Sequence, residues 1–310
     1  MEQRKIGKLD VSVVGLGCNN FGMRIDEDQT VAVVHAALDA GVNFFDTADM
    51  YGDTLSEQYL ATALKGQREN VILATKFGMG VVEEGLTGGS PEWIRQAVDN
   101  SLRRLQTDWI DLYQMHQPDA SVPIAESLGA LHELVVAGKV REIGCSNFDA
   151  DLMGESEETS TDRGFSQFRS VQNRYSVLHR EPEDSVLAAC AELDVAFLPF
   201  FPLESGLLTG KVGADGPPAG SRLAVMPEER RSNFMTDERV ERVNILASYA
   251  DRHGRSLLEL AMSYLSSQPA VASVIAGATS PAQIETNSSA CGWVMTADEL
   301  GEIREIVDPT

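Results

Sequence analysis

Eight short, mostly apolar segments alternate with longer amphipathic segments, and this alternation constrains the fold more than any other feature of the sequence. Short runs rich in Val, Ile, Leu and Phe, bounded by turn residues, are typical of buried β-strands. Strands that are apolar throughout are buried on both faces, as in a parallel sheet covered by helices. The predicted strands are residues 11–17, 42–46, 71–76, 110–116, 141–146, 170–174, 195–200 and 272–277.

The number of strand–helix units indicates how the sheet is arranged. Eight units within 310 residues favour an α/β fold of the closed (β/α)8 TIM barrel type, although an open doubly wound sheet has the same alternation. Neither an internal repeat nor a change in composition marks a linker. We therefore expect a single domain that covers residues 1–310.

Several predicted helices begin or end at recognisable residues. Ser90 followed by Pro91 is a favourable helix start, because proline fits the first helical position. Ser or Thr three residues before Glu forms a capping box, and glycine after a helical segment is a common left-handed stop. Capping boxes are predicted at Thr54, Ser256 and Thr296, and glycine stops at Gly41, Gly66 and Gly138.

Two segments depart from this regular alternation. Residues 154–167 are polar and acidic, so we expect the helix that covers the fifth strand to be short or frayed. Residues 206–236 are rich in glycine and proline and follow the seventh strand. Loops this long are usually functional or disordered, and in a barrel this one would lie at the end that carries active sites.

Charge and cysteine content exclude several classes of protein. The net charge of −22 comes from 47 acidic and 25 basic residues spread along the chain, which disfavours binding to nucleic acid or to an anionic membrane. The four cysteines are far apart, as expected for reduced thiols. The N-terminus lacks an apolar leader, no run approaches a membrane span, and the histidines lack metal-ligand spacing. We expect a cytoplasmic protein without a metal.

Polar residues end three of the predicted strands, and a tyrosine follows one of them closely. Asp46, Lys76 and His116 are the last residues of their strands, and Tyr51 lies in the loop after Asp46. Taken singly, each residue is more often a turn, rim or packing residue than a catalytic one. In a barrel, however, all four would meet above the carboxyl ends of the strands.

These four side chains form a chemically coherent group. A buried lysine needs a carboxylate to remain charged, so Asp46 is expected to pair with Lys76. The ammonium is expected to lower the pKa of Tyr51, which would become a proton donor. His116 would orient a carbonyl oxygen. A Schiff-base lysine at position 76, as in an aldolase, is an alternative, but that role requires a neutral amine.

The motifs around these residues resemble the aldo-keto reductase superfamily. They are FDTADMYG, LATKFG, LYQMHQPD, GCSNF, SVQNRYS and SGLLTGK in this order, and the similarity covers nearly the whole chain. The resemblance implies reversible, nicotinamide-dependent reduction of an aldehyde or ketone, with Asp46, Tyr51, Lys76 and His116 as the catalytic residues and Tyr51 as the general acid. A cofactor-binding sensor subunit on the same fold is the alternative.

The resemblance also implies a cofactor site along the mouth of the barrel. Three residues would bind the nicotinamide carboxamide, and an aromatic ring would stack beneath it. Backbone amides of the segment that follows, with two cations, would hold the pyrophosphate, so residues 206–236 would close over the cofactor. The implied residues are Ser146, Asn147, Gln172, Phe200, Phe201, Pro202, Leu203, Ser205, Lys211 and Arg222.

The adenosine end of the cofactor would lie on the motif GATSPAQIETN. Gly277, Thr279, Gln283 and Asn287 are the matching positions, and Gln283 stands where many relatives that are specific for NADPH have arginine. One cation fewer weakens binding of a 2′-phosphate. We expect NADP(H) to be preferred and NAD(H) to remain possible.

The substrate pocket is the least constrained part of the sequence. Loops at 19–25 and 77–90 and the segment around Trp293 are expected to shape it, with Asn19, Phe21, Met79 and Trp293 as candidate lining residues. The expected partner is a small carbonyl or alcohol. We expect a monomer or a small homo-oligomer.

Overall fold

The computed structural model describes residues 1–80, 82–213 and 216–308. Positions 309 and 310 of the expected domain, position 81 of the 77–90 loop, and positions 214 and 215 of the 206–236 loop lie outside the described residues. The strands are β1 Gln3–Ile6, β2 Leu9–Ser12, β3 Val14–Gly17, β4 Phe44–Asp46, β5 Ile72–Phe77, β6 Ile110–Met115, β7 Val140–Ser146, β8 Phe168–Arg174, β9 Ala196–Phe200 and β10 Val274–Gly277.

Eight of these strands form one parallel sheet that nearly closes into a barrel. The order is β10-β3-β4-β5-β6-β7-β8-β9, and every neighbouring pair is parallel. Strand β9 also reaches the segment before β10, because the N–H of Phe197 donates to the carbonyl of Ala270 at 2.7 Å, and Ala272 donates back at 3.0 Å. The (β/α)8 barrel is therefore confirmed, and all eight predicted strands belong to it.

Helices form the outer layer, and all of them except α7 bury side chains in the protein interior. Ser256 and Thr296 form the predicted capping boxes, and Pro91 starts its helix after the Ser90 cap. None of the helices in the described ranges is long and apolar enough to cross a membrane. The helices are α1 Glu27–Asp39, α2 Leu55–Ala63, α3 Pro91–Leu105, α4 Ile124–Val136, α5 Ala150–Arg163, α6 Val186–Leu193, α7 Glu228–Phe234, α8 Asp237–Arg252, α9 Leu257–Ser266, α10 Pro281–Ser288 and α11 Ala297–Val307.

An antiparallel hairpin of β1 and β2 closes the bottom of the barrel. The sequence predicted one strand over residues 11–17, but the structure divides it at Val13 between β2 and β3. Ile6, Leu9 and Val11 of the hairpin join the inward-facing Phe44 and Leu112 in one buried apolar cluster. This apolar cluster fills the lower part of the barrel, and the polar ends of the strands lie above it.

Two helix predictions are wrong, and each has a local cause. Helix α5 is not short or frayed: it runs for 14 residues, capped by the Asp149 side chain and ended by the left-handed Gly164. Thr54 does not form a capping box, because its backbone is left-handed and its side chain makes no cap hydrogen bond. Glu57, the expected partner in that box, is fully buried and pairs with Arg104 instead.

The segment 206–236 is only partly irregular. It begins within a short 3-10 segment, Glu204–Thr209, and it contains helix α7 close to its end. The Arg24 guanidinium donates to the carbonyl of Gly220 at 2.9 Å, which ties this segment to the loop after β3. The segment therefore lies at the mouth of the barrel, next to the first barrel strand, β3.

Candidate active site

Strand alternation places Asp46 and Lys76, two of the four predicted catalytic residues, on one level inside the barrel, whereas Tyr51 lies in the loop after β4 and His116 comes directly after β6. Side chains two residues apart on a strand point to the same face. Asp46 follows the inward Phe44 by two residues, and Lys76 follows the inward Ala74 in the same way. The apolar layer below therefore fixes which polar residues face the barrel axis above it, at the carboxyl ends of the strands.

Lys76 is the centre of this group. Its side chain is fully buried, and its Nζ lies 2.6 Å from Asp46 Oδ2 and 2.9 Å from the carbonyl oxygen of Thr47. Burial by itself disfavours the ammonium, but the Asp46 carboxylate outweighs this effect and the pKa of Lys76 is raised. Lys76 therefore stays charged at neutral pH.

Two glutamines hold the other oxygen of Asp46. The side-chain amides of Gln114 and Gln172 donate to Asp46 Oδ1 at 3.1 and 2.9 Å. Gln114 is fully buried on β6 and was not among the predicted site residues. Its position on β6, two residues before His116, which directly follows that strand, is the sequence signal that would have identified it. Together these hydrogen bonds hold the Asp46 carboxylate in the position where it pairs with Lys76.

Tyr51 brings its hydroxyl to the same ammonium. The distance from Lys76 Nζ to the Tyr51 oxygen is 3.4 Å, and Nζ lies 5.1 Å from the centre of the ring. Burial raises the pKa of Tyr51, and the nearby Lys76 ammonium opposes this only in part. The expectation of a lowered pKa is therefore wrong in this environment. The hydroxyl keeps its proton at neutral pH, as a proton donor must.

His116 completes the group as a neutral ring. It meets Tyr51 edge to face with ring centres 5.9 Å apart, and its Nδ1 has no hydrogen-bond partner within the described part of the chain. Burial, with a smaller effect of Lys76, lowers the pKa of His116 to about 3. A neutral imidazole with a free ring nitrogen suits a bound oxygen that needs a hydrogen bond.

The three residues assigned to the carboxamide lie beside this group: Ser146 ends β7, Asn147 directly follows it, and Gln172 lies on β8. Ser146 Oγ donates to the carbonyl of Gln172 at 2.7 Å, and Asn147 Nδ2 donates to the carbonyl of His116 at 2.9 Å. Asn147 has a left-handed backbone, with φ of +61°. These bonds place two polar side chains and a neutral histidine on one rim, where they suit a planar amide.

The aromatic and cationic residues assigned to the ring and the pyrophosphate follow β9. Phe200 is half-buried and meets Phe201 edge to face, with ring centres 5.4 Å apart. The Arg222 guanidinium lies 5.2 Å from the centre of the Phe201 ring. Lys211 is exposed. The remaining residues of this set are Pro202, which is buried, and Leu203 and Ser205, which are half-buried.

The residues assigned to the adenosine lie at the end of β10 and the start of α10. An added Cβ at Gly277 would come within 2.9 Å of the Nδ2 atom of Asn20, so a side chain at this crowded position would displace the end of the Asn20 side chain. Gln283 Oε1 accepts hydrogen bonds from the N–H and the hydroxyl of Thr279. Asn287 is buried one turn further along the helix. Gly277 is exposed and Thr279 and Gln283 are half-buried, so these residues form a surface ledge between β10 and α10.

One residue of the predicted substrate pocket lies elsewhere. Trp293 is buried and stacks on Tyr249 of α8 and on His253 just after it, so it belongs to the outer helical layer. Met79 is exposed, and Asn19 lies near Gly277. Among the residues that the structure describes, no group of three His, Cys, Asp or Glu side chains could hold a metal ion.

The fold and the site together define a class of protein. It is a (β/α)8 barrel whose mouth combines an ion-paired lysine, a protonated tyrosine and a neutral histidine, which can give a proton to a bound oxygen. Comparison with known proteins makes this assignment more specific. The chain belongs to the aldo/keto reductase family, whose sequence profile matches residues 13–308.

Individual relatives agree with this assignment over almost the full length. Aldo-keto reductase YhdN of Bacillus subtilis (strain 168) is 35% identical, covering 97% of this chain and 92% of that protein. Probable aldo-keto reductase 1 of Glycine max is 31% identical over 96% of this chain and 86% of that protein. The aldo-keto reductase AKR11C1 from Bacillus halodurans, solved in its holo form, superposes with a TM-score of 0.81 at 33% identity, covering 99% of this chain and 96% of that chain.

Membership of the family supports an oxidoreductase activity on carbonyl compounds. Aldo-keto reductases use nicotinamide cofactors, and the similar structure is described as a holo form. The carboxamide rim, the half-buried Phe200 and the crowded Gly277 fit such a cofactor in this chain.

Proposed function

We propose that this protein reduces an aldehyde or ketone to an alcohol, reversibly, with NADP(H) preferred and NAD(H) possible. The observation that carries the proposal is the position of Lys76 Nζ, which lies 2.6 Å from Asp46 Oδ2 and 3.4 Å from the Tyr51 hydroxyl. The charged Lys76 ammonium therefore lies next to the Tyr51 hydroxyl, the proposed proton donor, in a position that is shielded from water. When bound, the reduced nicotinamide supplies the hydride.

Tyr51 is the general acid in this proposal. It enters the reaction as a neutral phenol, because burial raises its pKa, and it gives its proton to the carbonyl oxygen as negative charge develops there. Lys76 stabilises the phenolate that remains, at a distance that makes the interaction strong in a buried site. Asp46 keeps Lys76 charged and oriented, so it acts through the lysine.

His116 binds the substrate oxygen in this proposal. Its neutral ring meets Tyr51 edge to face, with ring centres 5.9 Å apart, so a ring N–H can donate a hydrogen bond to the same oxygen that Tyr51 protonates. The paired, charged state of Lys76 argues against the alternative of a Schiff-base lysine, which requires a free neutral amine.

Cofactor preference follows from the adenosine ledge. Helix α10 begins at Pro281 after the Ser280 cap, and the N-terminus of a helix favours a phosphate group. Gln283 adds no charge, so we propose a preference for NADP(H) that is weaker than an arginine at this position would give. A small carbonyl compound is the substrate class, and we propose a cytoplasmic location.

The experiment is a pair of titrations followed by an activity panel. NADPH and NADH are added separately while protein fluorescence is recorded, and a panel of small aldehydes and ketones is then supplied while oxidation of the reduced cofactor is followed by absorbance. Tight binding with turnover of at least one carbonyl supports the reductase. Binding without turnover across the panel favours the sensor subunit, and failure to bind either nucleotide contradicts both.

A further inference from the structure

The turn that follows β9 has an unusual backbone. Phe201, Glu204 and Ser205 have left-handed φ angles of +54°, +46° and +58°, although none of them is glycine. Side chains disfavour this conformation, which survives only where surrounding contacts enforce it. Three such residues within five positions indicate that something outside the turn holds it in place.

The Glu204 carboxylate is the contact that holds it. The side chain is fully buried, with 0% of its surface exposed. Its Oε2 accepts hydrogen bonds from Arg174 and Arg239, each at 2.7 Å, and its Oε1 accepts one from the Ser176 hydroxyl at 2.8 Å. These three partners come from the end of β8, the segment after it, and helix α8. The Glu204 carboxylate therefore links the turn to the end of β8 and to helix α8.

This cluster of Glu204, Arg174, Arg239 and Ser176 carries an unbalanced charge. Two guanidinium groups share one carboxylate, and His179 beside them stays neutral, because burial and then Arg174 lower its pKa. If Glu204 were uncharged, the two arginines would repel each other in a partly buried site. The Glu204 carboxylate therefore offsets the repulsion between the two arginines that contact the turn.

The turn carries residues that face the proposed cofactor. Phe200 ends β9 immediately before it, and Phe201 packs against both Phe200 and Arg222. Backbone N–H groups in a turn can also point to one side and form a concave anion site. A shift of this turn would therefore move the ring contact and the pyrophosphate contact together.

We propose that Glu204 is a positioning residue for the cofactor, acting through the turn of residues 201–205 and fixed there by Arg174, Arg239 and Ser176. This inference rests on the proposed function. Glu204 has no hydrogen bond to Asp46, Tyr51 or Lys76 among the described residues, so its loss affects cofactor binding more than proton transfer.

The test compares the buried Glu204 with the half-buried Glu183, which lies elsewhere in the barrel. Glu204→Gln keeps the size of the side chain but removes the charge between the two arginines. Glu183→Gln is the matched control, because Glu183 accepts hydrogen bonds from Tyr175, Tyr264 and Arg304 on the outer side of the barrel. NADPH affinity is measured by fluorescence titration, kcat is measured at saturating NADPH, and Tm is measured for each variant.

The expected result is that Glu204→Gln weakens NADPH binding but changes turnover little. Glu204→Gln raises the Kd for NADPH about tenfold or more, because displacement of a binding segment weakens every contact it makes, while kcat at saturation changes less than about threefold. Glu183→Gln lowers Tm but leaves the Kd unchanged. An unchanged Kd in Glu204→Gln, or an equal rise in both variants, overturns the inference.

A second variant covers the case in which Glu204→Gln fails to fold. Arg239→Met removes one of the two arginines that bind Glu204 and leaves the Arg174–Glu204 pair. A smaller rise in the Kd for NADPH, about threefold, is therefore expected at the same kcat. An unchanged Kd in Arg239→Met would then overturn the inference. Failure of the proposed function is distinguishable from either result, because it would appear in the wild-type protein as a lack of NADPH binding or of turnover.

Discussion

Asp46 and Asp49 lie three residues apart, both are buried, and their surroundings differ sharply. Asp46 accepts hydrogen bonds from Lys76, Gln114 and Gln172. Asp49 is 1% exposed, and neither of its carboxylate oxygens has a hydrogen-bond partner in the part of the chain that the structure describes. Burial, and then the nearby Glu57, raise the pKa of Asp49 to about 8. One acid is therefore paired with an ammonium and two amides, while its neighbour is unpartnered and held neutral.

The difference follows from where each side chain lies in the barrel. Asp46 points inward from the end of β4, toward the lysine and the two amides. Asp49 comes after the strand, in the loop that leads to Tyr51, and its acidic neighbour Glu57 is already engaged by Arg104. A buried carboxylate is stable when it is partnered and costly when it is not. The four predictions that follow test this contrast, beginning with the largest effect.

Removal of the partner of Asp46 should have the largest effect on turnover. Lys76→Met keeps the length of the side chain but leaves Asp46 as an unpaired buried charge and the Tyr51 phenolate without stabilisation. We expect kcat to fall by about 10²–10⁴ in steady-state assays. Lys139→Met is the control, since Lys139 pairs with Asp99 on the surface, and a comparable loss there would contradict the account.

Asp49 should make the stability of the protein depend on pH. Its pKa is about 8 in the folded state against 3.8 for the free side chain, so the folded protein binds the extra proton between these values. Stability should therefore fall as pH rises through this window, by at most about 1.4 kcal/mol per pH unit. Thermal unfolding from pH 5 to pH 8 measures this slope.

Asp49→Asn is the variant that isolates this effect. The amide cannot titrate, so the slope between pH 5 and pH 8 should be shallower than in the wild type, whatever the absolute stability of the variant. Equal slopes in the two proteins would mean that Asp49 does not stay neutral in the fold. His116 contributes the opposite sign, because its lowered pKa removes stability only as pH falls below about 6.5.

The smallest expected effect comes from one of the two amides that hold Asp46. Gln114→Met removes a hydrogen bond of 3.1 Å to the carboxylate but leaves Gln172 in place. We expect a loss of about 1–2 kcal/mol in the free energy of unfolding and a decrease of about three- to tenfold in kcat. Denaturant unfolding and initial rates measure both. A variant with wild-type kcat would show that Gln172 alone orients Asp46.

The barrel could be predicted from the sequence because the signals that define it are local. Apolar segments of strand length alternate with helical ones, and all eight predicted strands are present. The N-terminal hairpin was missed because a single apolar run spans β2 and β3, and only pairing with β1 separates them. Helix α5 was underestimated because its caps, Asp149 and Gly164, matter more than its polar composition.

Predictions about the site were limited wherever a result depends on distant contacts. Thr54 and Glu57 have the spacing of a capping box, but Glu57 instead pairs with Arg104, which is 47 residues away. The pKa of Tyr51 depends on the balance between burial and one ammonium, and the sequence cannot supply that balance. Asp49 and Glu204 gave no signal at all, since their burial arises only when separate elements pack together.

The central claim is that Tyr51 gives the proton while other residues hold the cofactor, and Tyr51→Phe tests it most directly. The measurement is single-turnover oxidation of bound NADPH by an aldehyde, together with the Kd for NADPH by fluorescence. The account predicts that the rate falls by about 10²–10⁴ and that the Kd changes less than about threefold. A Tyr51→Phe variant that reduced the aldehyde at the wild-type rate would contradict it.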